Sequence, residues 1–106
     1  MVEKLSNPEF MEMRNSEDFV LVNVLTRETF EQGHIPGSIN IPKDEIEEEA
    51  PKRFTKSQKI VVYCASEDCP ASDKAAEKLE ELGFENVKDF ERGLEGWKSE
   101  GHELET

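Results

Sequence analysis

The stretch from Lys59 to Gly83, KIVVYCASEDCPASDKAAEKLEELG, decides the fold that we predict for this chain. It opens with the apolar run from Ile60 to Tyr63, whose β-branched and aromatic side chains predict a buried strand. After Pro70, which suits the first turn of a helix, apolar residues recur at helical spacing until Gly83 ends the pattern. Cys64 therefore lies between a predicted strand and a predicted helix.

Cys64 is the residue at which we expect chemistry. At the end of a buried strand and before a helix, it meets free backbone N–H groups and the positive end of the helix dipole, and both favour a thiolate over a thiol. The N–H groups from Ala65 to about Ala71 are expected to stabilise an anionic sulfur. The alternative is a buried structural cysteine, a common role for this residue type, but the strand-end position favours a nucleophile.

Length and charge limit the classes of function. The 106 residues predict one domain, 1–106, that can bury a core without disulfides. A net charge of −12 argues against nucleic-acid and membrane partners. No apolar run approaches the ~20 residues of a membrane helix, and the N-terminal residues lack the apolar middle of a signal peptide. We therefore expect a cytoplasmic protein, in which two cysteines do not form a permanent disulfide.

The other apolar runs predict strands that alternate with helices. Phe19–Leu25, FVLVNVL, predicts a second buried strand, and Ser38–Ile41 and Val87–Phe90 predict shorter ones. A first helix is predicted after a cap at Ser6 or Asn7, and a second runs from Thr26 to Gln32 with Phe30 turned inward. A third helix is predicted from about Lys43 to Glu49, followed by a polar connection at Pro51–Gln58, and a last one from Leu94 to Glu100. This alternation predicts an α/β domain with a mostly parallel sheet, in which sites form beyond the carboxyl ends of the strands.

Three segments together resemble the rhodanese-like domain in its small single-domain form. Phe19–Pro42 contains the signature Gly-His-Ile-Pro-Gly, Ile60–Phe84 has a cysteine between an apolar strand and a helix, and Val87–Gly101 has a glycine and a tryptophan in the family's places. The resemblance implies a central, mostly parallel five-stranded sheet with helices on both faces. It also implies a sulfurtransferase without a cofactor, in which Cys64 carries sulfur as a persulfide. The sulfur would come from thiosulfate, polysulfide or persulfide donors and pass to a thiol or cyanide.

The sequence departs from the family pattern at two places. Where the family usually has Asp-x-Arg at the end of the early strand, this chain has Asn23 and Leu25, with Arg27 nearby. We predict that Asn23 and Arg27 border the pocket. No Arg or Lys lies between Cys64 and Asp73. Phosphatase relatives of the fold use an arginine in a longer loop to hold phosphate, so we reject phosphatase activity.

The loop after the catalytic cysteine is predicted to bind the substrate, and its residues are Ala65, Ser66, Glu67, Asp68, Cys69, Pro70, Ala71 and Ser72. Its two acidic residues disfavour an anionic donor, which leaves persulfides, polysulfides or a thiol of a partner protein as better substrates. Cys69 is a candidate redox partner, because it can resolve a persulfide or sulfenate on Cys64 and leave a disulfide. The alternative, equally weighted, is that Cys69 packs beneath the helix. His34 is predicted to fix its loop, and no metal is expected, because the cysteines and histidines lack zinc-site spacing.

Two other functions stay open at this point. One is a non-catalytic rhodanese-like module that binds a partner protein through the same loop, as the missing basic residue suggests. The other is a thiol–disulfide or peroxide-sensing protein that uses Cys64 and Cys69 as a pair. Replacing Cys69 by serine would remove the reactivity of such a pair, whereas a sulfurtransferase would keep its first half-reaction.

Overall fold

The structure of the protein is a computed structural model that describes residues 2–106. Its strands form a five-stranded sheet in which every neighbouring pair is parallel, in the order β1-β5-β4-β2-β3. The strands are β1 Glu3–Lys4, β2 Val20–Asn23, β3 Ile39–Asn40, β4 Lys59–Tyr63 and β5 Asn86–Asp89. The predicted α/β fold is confirmed, and the strand that precedes Cys64 lies at the centre of the sheet.

The helices connect the strands and begin where the sequence provides caps. The five α-helices are α1 Asn7–Ser16, α2 Arg27–Gln32, α3 Ile46–Arg53, α4 Ala71–Glu81 and α5 Gly93–Ser99, and a short 3-10 helix, Lys43–Glu45, leads into α3. Ser6 caps α1 in a capping box, because its hydroxyl accepts the N–H of Glu9 while the Glu9 carboxylate accepts the N–H of Ser6. Thr26 caps α2 through the N–H of Thr29. No helix within residues 2–106 is long and apolar enough to cross a membrane.

The apolar side chains form one core on each face of the sheet. Because successive strand residues point to opposite faces, Val62 packs against α3 and α4, while Val61 and Tyr63 pack against α1 and α5. The helices contribute Ile46, Ala50, Ala75, Ala76 and Leu79 to the first core and Phe10, Met13 and Trp97 to the second. Residues 60–63 are fully buried, which is the environment that their continuous apolar run predicts.

Three features differ from the sequence-based prediction. Strand β1 was not predicted, since its two residues are exposed and form no apolar pattern. Helix α3 continues through Pro51, where a polar connection was predicted, and its last turn is supported by the ion pair of Arg53 with Glu49. Phe30 is only half-buried and stacks on the ring of His34, so it is not part of either core.

A buried polar network joins the end of β4 to the loop after α2. The Tyr63 hydroxyl accepts hydrogen bonds from the Asn23 side-chain amide and from the Ile35 N–H, both at 3.1 Å. The Ser38 hydroxyl donates to the Ile35 carbonyl, so the Tyr63 hydroxyl, 2.9 Å away, donates to Ser38 Oγ. Burial of the ring raises the pKa of Tyr63, which keeps this hydroxyl protonated. The network therefore fixes the backbone one residue before Cys64.

Replacing Tyr63 by phenylalanine is expected to destabilise the protein by about 2–6 kcal/mol, because two buried donors lose their acceptor at about 1–3 kcal/mol each. The donors are the Asn23 amide and the Ile35 N–H. Urea denaturation of the variant and the parent protein measures the difference. A loss below about 0.5 kcal/mol would contradict the prediction and would mean that the two donors find other partners.

Candidate active site

The candidate site lies beyond the carboxyl end of β4, where α5 contacts the start of the loop. The Leu94 N–H donates to the Cys64 carbonyl at 3.0 Å, and the Glu95 N–H donates to the Ala65 carbonyl at 2.9 Å. This close approach requires Gly93, which has a φ of 57° and whose added Cβ would lie 2.0 Å from the Cys64 carbonyl oxygen. The backbone at Cys64 is thus held by the first turn of α5.

The Cys64 side chain points inward and has no exposed surface. Its sulfur lies 3.2 Å from the Cys69 carbonyl oxygen and 3.5 Å from the Ser72 hydroxyl. Burial raises the pKa of the Cys64 thiol, the neighbouring Cys69 thiol raises it further, and the hydroxyl and N–H of Ser72 act in the opposite direction. The resting side chain is therefore a thiol, whereas the sequence favoured a thiolate, because loss of solvent outweighs the donors that reach this sulfur.

Cys69 receives the stabilisation that was expected for Cys64. Its side chain is half-buried, and the turn before it is closed by its own N–H, which donates to the Ser66 carbonyl at 3.1 Å. Although burial opposes ionisation, hydrogen bonds from the Cys64 thiol and from the N–H groups of Ala71 and Ala65 hold the pKa of Cys69 below its ordinary value. The loop therefore holds two unlike thiols, an enclosed one whose pKa is raised and a half-buried one whose pKa is lowered.

We predict that iodoacetamide alkylates Cys69 at least about tenfold faster than Cys64 at neutral pH, because alkylation requires an accessible thiolate. Peptide mapping of samples quenched at increasing times measures the two rates. In Cys69→Ser the remaining cysteine should still react slowly, which separates burial from competition for the reagent. Faster alkylation of Cys64 in the parent protein would contradict the arrangement of the loop.

A shallow pocket of about 220 Å³ opens beside the loop and is lined by Ser66, Glu67, Asp68, Arg92 and Glu95. Arg92 occupies the N-cap position of α5 without a side-chain capping hydrogen bond, and its Nε lies 3.2 Å from Glu67 Oε1. The sequence analysis missed Arg92, because it lies far along the chain from the loop that it contacts. The sequence feature that could have identified Arg92 is its position between β5, the strand that pairs with β4, and Gly93, which begins the last helix.

The residues predicted to border the pocket contact other groups, and the pocket lining does not include them. The side chain of Asn23 is buried in the sheet, where it donates to the Tyr63 hydroxyl and accepts the Leu25 N–H at 2.8 Å. Arg27 lies on α2 and pairs with Glu45 at 3.6 Å. Asn23 therefore holds the backbone after β2, and these hydrogen bonds satisfy its amide at a position with no access to water.

His34 fixes the loop after α2. Its Nδ1 lies 2.9 Å from the Phe30 carbonyl oxygen, and its ring stacks on the Phe30 ring with the centroids 3.8 Å apart. Its backbone exchanges two hydrogen bonds with Glu105, at 2.9 and 2.8 Å. These contacts suit the structural role expected for it. Across residues 2–106, no group of three or more His, Cys, Asp and Glu side chains is arranged to hold a metal ion.

Comparisons with known proteins give the relatives of this chain. The family model for the rhodanese-like domain matches residues 6–100. The chain is 33% identical over 95 residues to the adenylyltransferase and sulfurtransferase UBA4 of Candida albicans, covering 83% of this chain but only 21% of that protein. It is 27% identical over 99 residues to the thiosulfate sulfurtransferase GlpE of Coxiella burnetii, covering 93% and 90% of the two chains. The crystal structure of the BH2092 protein from Bacillus halodurans superimposes with a TM-score of 0.87 at 32% identity, covering 97% of this chain and 76% of that one.

Proposed function

This chain belongs to the rhodanese-like domain family, and on that premise we propose that it is a sulfurtransferase that carries sulfane sulfur as a persulfide on Cys64. The observation that carries the proposal is the place of Cys64, directly after the central strand and before the loop that leads to α4. The similarity to a relative named as a thiosulfate sulfurtransferase, of which the chain spans 90%, supports it.

The proposed reaction begins with the movement of a proton. In the closed loop the Cys64 thiol donates to the Cys69 carbonyl oxygen at 3.2 Å, so this thiol has to release its proton to solvent as the loop opens before Cys64 can act as a nucleophile. The Cys64 thiolate attacks the outer sulfur of the donor, a new S–S bond forms, and the leaving group departs with the electron pair of the broken bond. A thiol or cyanide then attacks the outer sulfur of the persulfide, and the Cys64 thiolate is restored.

The loop has to move during this cycle, because Cys64 has no exposed surface. The hydroxyl of Ser72 lies 3.5 Å from the Cys64 sulfur and belongs to the first turn of α4, so it stays beside the sulfur when the loop opens. Hydrogen bonds to a charged group contribute on the order of 1.5–3 kcal/mol, and this contact would stabilise the persulfide anion.

The preferred donors follow from the charge beside the loop. Glu67, Asp68 and Glu95 line the pocket and disfavour a dianion such as thiosulfate. We therefore propose persulfides, polysulfides or the persulfide of a partner protein as donors, and a small thiol or a protein thiol as acceptor. A reducing cytoplasm fits the two free thiols of the loop.

The closeness of the Cys64 sulfur to the Cys69 backbone, at 3.2 Å from its carbonyl oxygen, also favours a second candidate function, a thiol–disulfide or peroxide-sensing pair. In that case the Cys69 thiolate attacks the inner sulfur of a Cys64 persulfide, the outer sulfur leaves as hydrosulfide, and a Cys64–Cys69 disulfide forms. The half-buried position of Cys69 beside the enclosed Cys64 suits this role. A non-catalytic module that binds a partner through the loop remains the third candidate.

Intact-protein mass after exposure of the reduced protein to polysulfide tests the proposal. We expect the parent protein and Cys69→Ser to gain one sulfur atom that cyanide removes. A loss of two hydrogens that needs both cysteines would instead establish the redox pair. An unchanged mass with polysulfide, thiosulfate and glutathione persulfide would overturn the sulfurtransferase and leave the binding module.

A further inference from the structure

The pocket beside the loop contains one basic side chain among its five lining residues. Arg92 is that residue, and it faces the carboxylates of Glu67, Asp68 and Glu95. Of these, Glu67 is the one paired with it, at 3.2 Å from Nε. The loop between Cys64 and α4 has no basic residue of its own, so Arg92 brings the positive charge from another element of the fold.

The backbone of Arg92 is fixed relative to the nucleophile. The residues that follow it donate N–H groups to the carbonyls of Cys64 and Ala65, at 3.0 and 2.9 Å. The side chain, by contrast, is 45% exposed, and that of Glu67 is 59% exposed. An ion pair this exposed is weak, so a doubly charged ligand can displace Glu67 from the guanidinium. The guanidinium also presents a planar fork of donors that suits two oxygens of an oxyanion.

We propose that Arg92 binds the anionic end of the sulfur donor and that Glu67 competes with the donor for this arginine. The proposal rests on the sulfurtransferase function proposed above and names its specificity-determining residue. The Arg92–Glu67 pair thus acts as an internal competitor, and anionic donors bind only when they displace the carboxylate. Glu95 lines the same pocket without such a pair and affects donors through its charge alone.

The role of Arg92 in the reaction is clearest with thiosulfate. The Cys64 thiolate attacks the outer sulfur, the bond between the two sulfur atoms of thiosulfate breaks, and sulfite leaves with the electron pair. Negative charge on the sulfonate oxygens increases as sulfite departs, so a guanidinium bound to these oxygens stabilises the transition state more than the ground state.

The test compares two variants that each remove one carboxylate from the pocket, Glu67→Gln and Glu95→Gln. We measure kcat/KM for thiosulfate with cyanide as acceptor. Glu67→Gln is expected to raise kcat/KM about three- to five-fold, because it removes both the repulsion and the competition for Arg92, whereas Glu95→Gln changes it less than about two-fold. Arg92→Gln is expected to lower kcat/KM about ten-fold, through loss of charged hydrogen bonds. The double variant Glu67→Gln/Arg92→Gln should exceed Arg92→Gln by less than about two-fold, because without the arginine only the repulsion is removed.

A neutral reagent separates anion binding from simple opening of the loop. The rate at which iodoacetamide alkylates Cys64, followed by peptide mapping, should be the same in Glu67→Gln and Glu95→Gln. Three results would each overturn the proposal. They are equal kcat/KM in these two variants, survival in the double variant of the gain seen in Glu67→Gln, and a rise in the alkylation rate of Glu67→Gln as large as its rise in kcat/KM. If no donor places sulfur on Cys64 of the parent protein, the sulfurtransferase function fails and this proposal with it. Sulfur loading with no difference between Glu67→Gln and Glu95→Gln overturns this proposal alone.

Discussion

Replacing Cys64 by serine is expected to abolish the proposed sulfur transfer, with a fall in kcat of at least about a thousandfold, because the residue proposed to form the covalent intermediate is lost. A serine hydroxyl is a far weaker nucleophile at neutral pH and cannot hold the transferred atom as a persulfide. The Cys64 sulfur lies against the Cys69 carbonyl and the Ser72 hydroxyl, and a smaller hydroxyl can bond to the same two oxygens. Steady-state assays with polysulfide or glutathione persulfide and a thiol acceptor measure the loss.

The matched control is Cys69→Ser, which keeps the nucleophile and should still accept one sulfur atom. Thermal unfolding of both variants shows whether the fold is preserved. Full activity of Cys64→Ser together with an inactive Cys69→Ser would transfer the nucleophilic role to Cys69. Full activity in both would remove the persulfide mechanism altogether.

Replacing Gly93 by alanine is expected to destabilise the protein by about 2–5 kcal/mol. A positive φ costs a residue with a Cβ about 1–2 kcal/mol, and overpacking adds about 1–3 kcal/mol. The added Cβ would lie 2.0 Å from the Cys64 carbonyl oxygen and 2.8 Å from its carbon, and both are backbone atoms that cannot turn away. Denaturant unfolding measures the loss.

Gly101→Ala is the matched control, because Gly101 also has a positive φ, 84°, but an added Cβ would meet nothing within 4 Å. The stability of this variant should fall only by the cost of a positive φ for a residue with a Cβ, about 1–2 kcal/mol. The difference between the two variants isolates the contact between α5 and the start of the loop. Equal losses would contradict the close approach of Gly93 to Cys64.

Strands β2 to β5 and the position of Cys64 after the central strand could be predicted because they depend on local patterns. A continuous apolar run such as Ile60–Tyr63 is explained by burial on both faces, and its end locates Cys64 without any knowledge of the rest of the chain. The caps at Ser6 and Thr26 are similarly local. Strand β1 could not be predicted, since it exists through pairing with β5 and not through its own residues.

The chemistry of the two thiols could not be predicted from the sequence. Which N–H groups of the loop reach Cys64 and which reach Cys69 depends on the backbone angles of several residues between them. Those of Ala65 and Ala71 reach Cys69, whereas that of Ser72 reaches Cys64. The side chain of Arg92 reaches Glu67 only because the order of strands brings β5 beside β4. Contacts between distant segments leave no periodic signal in a single sequence.

The place of β1 in the sheet has a consequence for folding during synthesis. Strand β1 is made before the other strands, yet its neighbour is β5, and the bonded side chains of Lys4 and Asp89 are 85 residues apart in the chain. A nascent chain that stops before β5 therefore leaves β1 without its partner and the central strand β4 with an open edge. An unpaired apolar edge of this kind invites pairing with other chains. Binding of a chaperone to the nascent chain is accordingly expected to last until β5 emerges from the ribosome.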